Sequence, residues 1–162
     1  KKLNSFLREL EQQKRHQAVL DSRGRYQNGS IELNEIFAVL LDNRVYDEIN
    51  MNTFNFVNAS FDDLFDRFPI QSEFDIAYEI IQNNATGSLF GGSAANKREY
   101  CLMLTNSMEF SEAVIRWSYF SLIGRQPTTQ EVYNLLEDFH QNRDFQKVQL
   151  TIMRTNEYAN FN

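Results

Sequence analysis

The chain predicts an all-α protein of about eight helices, built from a degenerate internal duplication of a helical repeat packed as one domain over residues 27–162. Three observations carry that prediction. Apolar residues recur every three or four positions through most of the 162 residues, and alternating strand patterns of useful length are missing. Proline occurs only at Pro69 and Pro127, which leaves long segments free to stay helical. A stretch ending in "LFDRFPIQSEF" (64–74) returns 58 positions later as "LIGRQPTTQEV" (122–132).

Taken in order, "LNSFLREL" sets Leu3, Phe6, Leu7 and Leu10 at i, i+3, i+4 and i+7, one face of a helix reaching about residue 21. "DSRGRYQNGS" then reads as a loop, with Asn28-Gly29 as its turn signal. "IELNEIFAVLLDN" resumes the helical period, with Ile36, Phe37, Leu40 and Leu41 on one side. Phe54, Val57, Phe61, Leu64, Phe65 and Phe68 align in the next segment, and Phe74, Ala77, Ile80 and Ile81 in the one after. "YCLMLT", "SEAVIRWSYFSLI", "TQEVYNLLEDFH" and "FQKVQLTIMRT" complete the set.

Shifting residues 57–81 onto 115–139 superposes Ser60 on Ser118, Arg67 on Arg125, Pro69 on Pro127, Glu73 on Glu131 and Glu79 on Glu137. Copy 1 spans about 28–106 and copy 2 about 107–162, preceded by a basic helical arm at 1–26. A second element recurs as "DNRVY", "TNSMEF" and "TNEY". Its Asn43, Asn106 or Asn156 suits a left-handed helix C-cap, with an aromatic just beyond to fold back on the last turn.

The second joint has the chemistry of a helix stop and restart. Gly124 suits a positive φ at the helix end, Arg125 complements the helix dipole, and Pro127 blocks continuation. Thr128 and Glu131 have capping-box spacing, and Arg125 and Glu131 are placed to pair. In the first copy Arg67, Pro69 and Glu73 are kept. Asp66 stands for the glycine and Ile70 for the threonine, and Ser72 with Asp75 offers a displaced box.

The joint "GR-x-P-x-x-x-E" followed by "TNEY" resembles the phycobilisome linker domain and related helical repeat domains of bacterial surface proteins. The order "NGSIELNEIFAVLLDNRVY" then "FVNASFDDLFDRFPIQSEF" is similar to that of the linker family, over about 28–82 and again 98–161. The resemblance implies a non-enzymatic scaffold that holds other proteins, within a bacterial cell-envelope assembly at the periplasm or cell surface. A lipoprotein fragment fits that setting. The alternatives are a phycobilisome-type linker and, from another class, a small helical enzyme or cofactor-binding bundle.

Charge and chemistry narrow the field. The formal net charge is −6, but residues 1–26 hold seven basic and three acidic side chains, leaving −10 elsewhere. A nucleic-acid partner is not expected for such a body, and no apolar run reaches the ~20 residues of a membrane span. The expected partners are other proteins. No cofactor, metal or catalytic residue is assigned. His16 and His140 lack metal-ligand spacing and read as surface residues, and Cys101 reads as a small core side chain. Asp62, Asp63 and Asp66 read as a solvated acidic face. "NNATGSLFGGSAANKREY" (83–100) reads as a flexible insertion that the core does not require. At its tip Leu89 and Phe90 either tuck inward or contact a partner.

Overall fold

The computed structural model describes residues 2–160, and its class is all-α. Among the described residues there are ten helices and one two-stranded hairpin. In chain order these are α1 (Lys2–Gln27), α2 (Leu33–Leu41), α3 (Arg44–Asn50), α4 (Thr53–Phe65) and α5 (Gln71–Asn83). The hairpin β1 (Gly87–Leu89) and β2 (Gly92–Ala94) follows. Then come α6 (Lys97–Thr105), α7 (Met108–Ile123), α8 (Thr129–Asn142), α9 (Phe145–Met153) and α10 (Asn156–Ala159). The chain divides into two compact units, one ending at Thr105 and the other beginning at Asn106.

The count exceeds eight because two short helices start on capping side chains rather than on periodic apolar residues. The Asn43 side chain accepts from Tyr46 N at 3.1 Å and opens α3, while Thr155 accepts from Tyr158 N at 3.2 Å and opens α10. Ser107 does the same for Phe110 N at the start of α7. The recurring element is thus an N-cap with an aromatic at the third helical position. Asn43 has φ −140°, and neither Asn106 nor Asn156 has positive φ. The expected left-handed C-cap is therefore corrected. The left-handed caps that do occur are Asp66, Asn84, Gly124 and Arg143.

α1 runs six residues beyond the expected end at 21, through Gly24. A helical glycine costs about 1 kcal/mol. Tertiary packing offsets it, because the second half of α1 lies on α2, where Ser22 is buried and Val19 and Tyr26 are half-buried. The buried face of α2 is Asn34, Ala38 and Leu41, whereas Leu40 is 42% exposed.

The core of the first unit centres on α4, α5 and α6. Val57, Phe61, Ala77, Ile80, Tyr100, Cys101 and Leu104 are each 0% exposed. Ser60 Oγ donates to Val57 O at 2.9 Å and lies 2.9 Å from Tyr100 Oη, a hydroxyl pair sealed in apolar surroundings. In the second unit α7 packs on α8 and α9, and α10 closes on α7 and α9. Ile115, Phe139, Val148 and Ile152 form that interior.

Candidate functional site

The duplicated joint is built the same way in both units. In the first, α4 ends at Asp66 with φ 56°, a left-handed turn that aims Arg67 back across the gap. Arg67 Nη1 and Nη2 donate to Glu73 Oε2 and Oε1 at 2.7 and 2.8 Å, and Nη1 also reaches Phe68 O at 3.1 Å. Glu73 Oε2 accepts from Ile70 N at 2.9 Å, satisfying one free amide at the start of α5. The guanidinium lies over the rings of Phe61 and Phe65, 5.2 and 5.8 Å from their centroids.

In the second, Gly124 has φ 79° and Arg125 repeats the geometry. Its Nη1 and Nη2 donate to Glu131 Oε2 and Oε1 at 3.0 and 2.7 Å, and Nη1 reaches Gln126 O at 2.9 Å. Thr128 N donates to Glu131 Oε2 at 2.7 Å, and Glu131 N returns a bond to Thr128 Oγ1 at 3.3 Å, closing the capping box. Pro127 is buried and Arg125 lies over Tyr119, the residue matched to Phe61. One extra ligand distinguishes this copy. Glu157 of α10 accepts from Arg125 Nε and Nη2 at 2.7 and 2.6 Å.

The electrostatics follow the geometry. The fork from Arg125 and the amide of Thr128 hold the Glu131 carboxyl at about 2, against the cost of its partial burial. Arg67 lowers Glu73, and Arg125 lowers Glu157, for the same reason. In both copies the two Nη atoms of the arginine and both oxygens of the glutamate are engaged within the joint. The joint therefore braces the angle between two helices. The displaced Ser72 box is absent, since α5 starts one residue before Ser72 and Asp75 Oδ1 instead accepts from Gln71 Nε2.

The insertion after α5 is ordered by its own turn. Phe90 and Gly91 have φ 54° and 79°, which closes a two-residue hairpin pairing Leu89 with Gly92. A side chain at Gly87 would meet Ile76 and Ile80 at 2.8–2.9 Å, so the strand lies against α5 with no room for a Cβ. Leu89 is 9% and Ala94 2% exposed. Phe90 is half-buried, with its ring 5.9 and 5.4 Å from those of Phe61 and Phe65. The hairpin is thus part of the first unit's core, correcting the dispensable flexible loop, and Leu89 is not an exposed tip.

The chemically suggestive groups are occupied or sealed. His140 is half-buried rather than a plain surface residue. Its Nδ1 lies 3.0 Å from Ser111 Oγ, which also accepts from Arg143 Nη1 at 2.8 Å. Burial, with the nearby Arg143 charge, lowers the imidazole pKa. Ser111 is 0% exposed, so this serine–histidine pair presents no nucleophile to a substrate. Cys101 is buried and its thiol pushed up, chiefly by desolvation. Tyr46 Oη donates to Asp63 at 2.6 Å, and Lys97 pairs with Asp47 over the Phe56 ring. Among the described residues there is no group of three or more His, Cys, Asp or Glu that could hold a metal ion, and no helix long and apolar enough to cross a membrane.

Several large apolar side chains are also open to solvent. On α7, Trp117 and Phe120 are 60% and 58% exposed, and Trp117 stacks on Phe145 of α9 with centroids 6.3 Å apart. They lie off the buried stripe of Phe110, Val114, Ile115 and Ser118. That angular offset within "SEAVIRWSYFSLI" was the signal a simple count of apolar residues passes over. Val45, Ile49 and Met51 are exposed on and after α3, and an open groove of about 730 Å³ separates that helix from α1. No protein-family model, curated protein or solved structure matches the chain.

Proposed function

We propose that this chain is a non-enzymatic protein-interaction module, one piece of a larger bacterial cell-envelope scaffold. The observation that carries the reading is the exposed aromatic pair Trp117 and Phe120 on a helix whose ends are pinned by a hydrogen-bonded cap and a forked arginine. Large aromatics on a rigid element are the residue type that dominates binding energy at protein interfaces. A preorganised face also loses little conformational freedom on docking.

The sealed positions of Ser111 and Cys101 favour this reading over the helical-enzyme alternative. The braced joint, found twice, favours a module whose task is to hold geometry. The envelope setting rests on the resemblance of that joint to surface repeat modules.

The test is affinity recovery from the source cell, followed by mass spectrometry, with the native chain and a Trp117→Ala/Phe120→Ala variant. A partner recovered by the native chain and lost by the folded variant is the expected result. Equal recovery by both removes the α7 face from the reading.

A further inference from the structure

The α1 helix carries two stripes that face different ways. Its second half packs on α2 through Ala18, Val19, Ser22 and Tyr26, and Arg15 reaches Asp42 at 3.1 Å. At about 100° per residue the opposite face contains Leu3, Phe6, Leu10, Gln13, Gln17 and Leu20. These six fall at alternating three- and four-residue steps, the a and d positions of three successive heptads. All six are exposed, with Leu3 at 67%, Phe6 at 59% and Leu20 at 62%. Nothing in the first unit covers them.

We propose that a second copy of this chain covers them, the two α1 helices pairing as a short parallel coiled coil. The flanking charges select this occupant. Glu9 is at a g position and Lys14 at the e position five residues on, the spacing that brings opposite charges together between parallel helices. His16 and Asp21 repeat the g-to-e spacing one heptad later, as a polar pair. An antiparallel pair would instead set Glu9 against His16 and Lys14 against Leu7. Lys14 has only a 3.8 Å exposed contact with Glu11, so it is available to a partner helix. The packed face of α1 lies away from the seam, so pairing leaves the contacts with α2 in place. An anionic lipid surface suits the helix less well, because Glu9 and Asp21 border the apolar stripe on its two sides.

The Gln13 and Gln17 layers are polar and weaken the seam while fixing its register. The dimer is therefore a weak one, with two polar layers among six in a single short helix pair.

Sedimentation equilibrium of the full chain from about 1 µM to about 1 mM, the span of weak association, tests the proposal. The expected result is a monomer–dimer equilibrium that Phe6→Glu/Leu10→Glu weakens at least about tenfold without changing the helical signal. Glu9→Lys and Lys14→Glu each place like charges across the seam and weaken their own homodimers. Mixed together they form a heterodimer with both cross-pairs restored, which only the parallel register allows. A chain monomeric throughout overturns the proposal. So does a dimer indifferent to Phe6→Glu/Leu10→Glu, and so does absence of rescue in the mixture. Binding of a monomeric chain to vesicles of one part anionic to three parts neutral lipid, abolished by Phe6→Glu/Leu10→Glu, assigns the stripe to a membrane instead.

Discussion

Removing the guanidinium of Arg125 should open the second joint, and the chain carries its own reporter for the event. Trp117 is the single tryptophan, and it stacks on Phe145 within the same unit. A charge-assisted hydrogen bond is worth about 1.5–3 kcal/mol when sheltered and ~0–1 kcal/mol at an open surface. The Arg125 and Glu131 side chains are 35% and 28% exposed, between those limits, and joined by two such bonds. The pair is therefore assigned about 1–2 kcal/mol, with about 0.5 kcal/mol more from the more exposed Glu157 and a similar amount from the Tyr119 ring. Arg125→Ala should lose about 2–3 kcal/mol in urea denaturation followed by Trp117 fluorescence. Arg125→Lys should recover part of this, because an ammonium cannot fork onto a carboxylate. In a cycle with Glu131→Ala the coupling should be about 1–2 kcal/mol at pH 7. The folded Glu131 pKa of about 2 lies below its ordinary value, so this stability is complete above about 4.5 and is lost as pH falls toward 2. Additive single mutants at pH 7, or a coupling unchanged at pH 2, would refute the bracket as an energetic unit.

Four further outcomes follow from the same geometry. Ser60→Ala should destabilise the first unit more than Tyr100→Phe, about 1–3 against 0.5–1.5 kcal/mol, since it strands a buried phenol while the reverse change leaves Ser60 bonded to Val57 O; equal losses in thermal melts would show that both hydroxyls find other partners. Deleting Ser88–Ala95 should lower the melting temperature sharply, and Leu89→Ala alone should cost about 2–4 kcal/mol; a melt shifted by only a degree or two would return the hairpin to the status of a connector. Because the folded pKa of His140 is lowered, stability is complete above about 6.5 and falls as pH drops from there toward the folded value, and His140→Gln should flatten that slope in Trp117-monitored unfolding. Cys101 should resist a thiol reagent in native buffer and react at the rate of unfolding; prompt labelling would contradict its burial.

The joints were legible because their chemistry is local. A left-handed residue, a proline and a glutamate three places past the cap act within a dozen residues, so Gly124, Pro127, Thr128 and Glu131 announce their roles through backbone geometry alone. The Arg125–Glu131 pair was legible for the same reason, and the all-α class followed from apolar period. Tertiary contacts decided the rest. Asn43 has side-chain chemistry suited to either end of a helix, and it became an N-cap because the chain turns there into α3. The hairpin has only three residues per strand, too few for an alternating pattern, and it exists because Gly87 and Gly92 let the backbone press against Ile80 and Met103. Glu157 joins Arg125 from 32 residues away, a distance at which no spacing rule operates. His140 and α1 make the same point. Burial depends on what another segment lays against a side chain, and a one-dimensional pattern records which face is apolar but not what covers it.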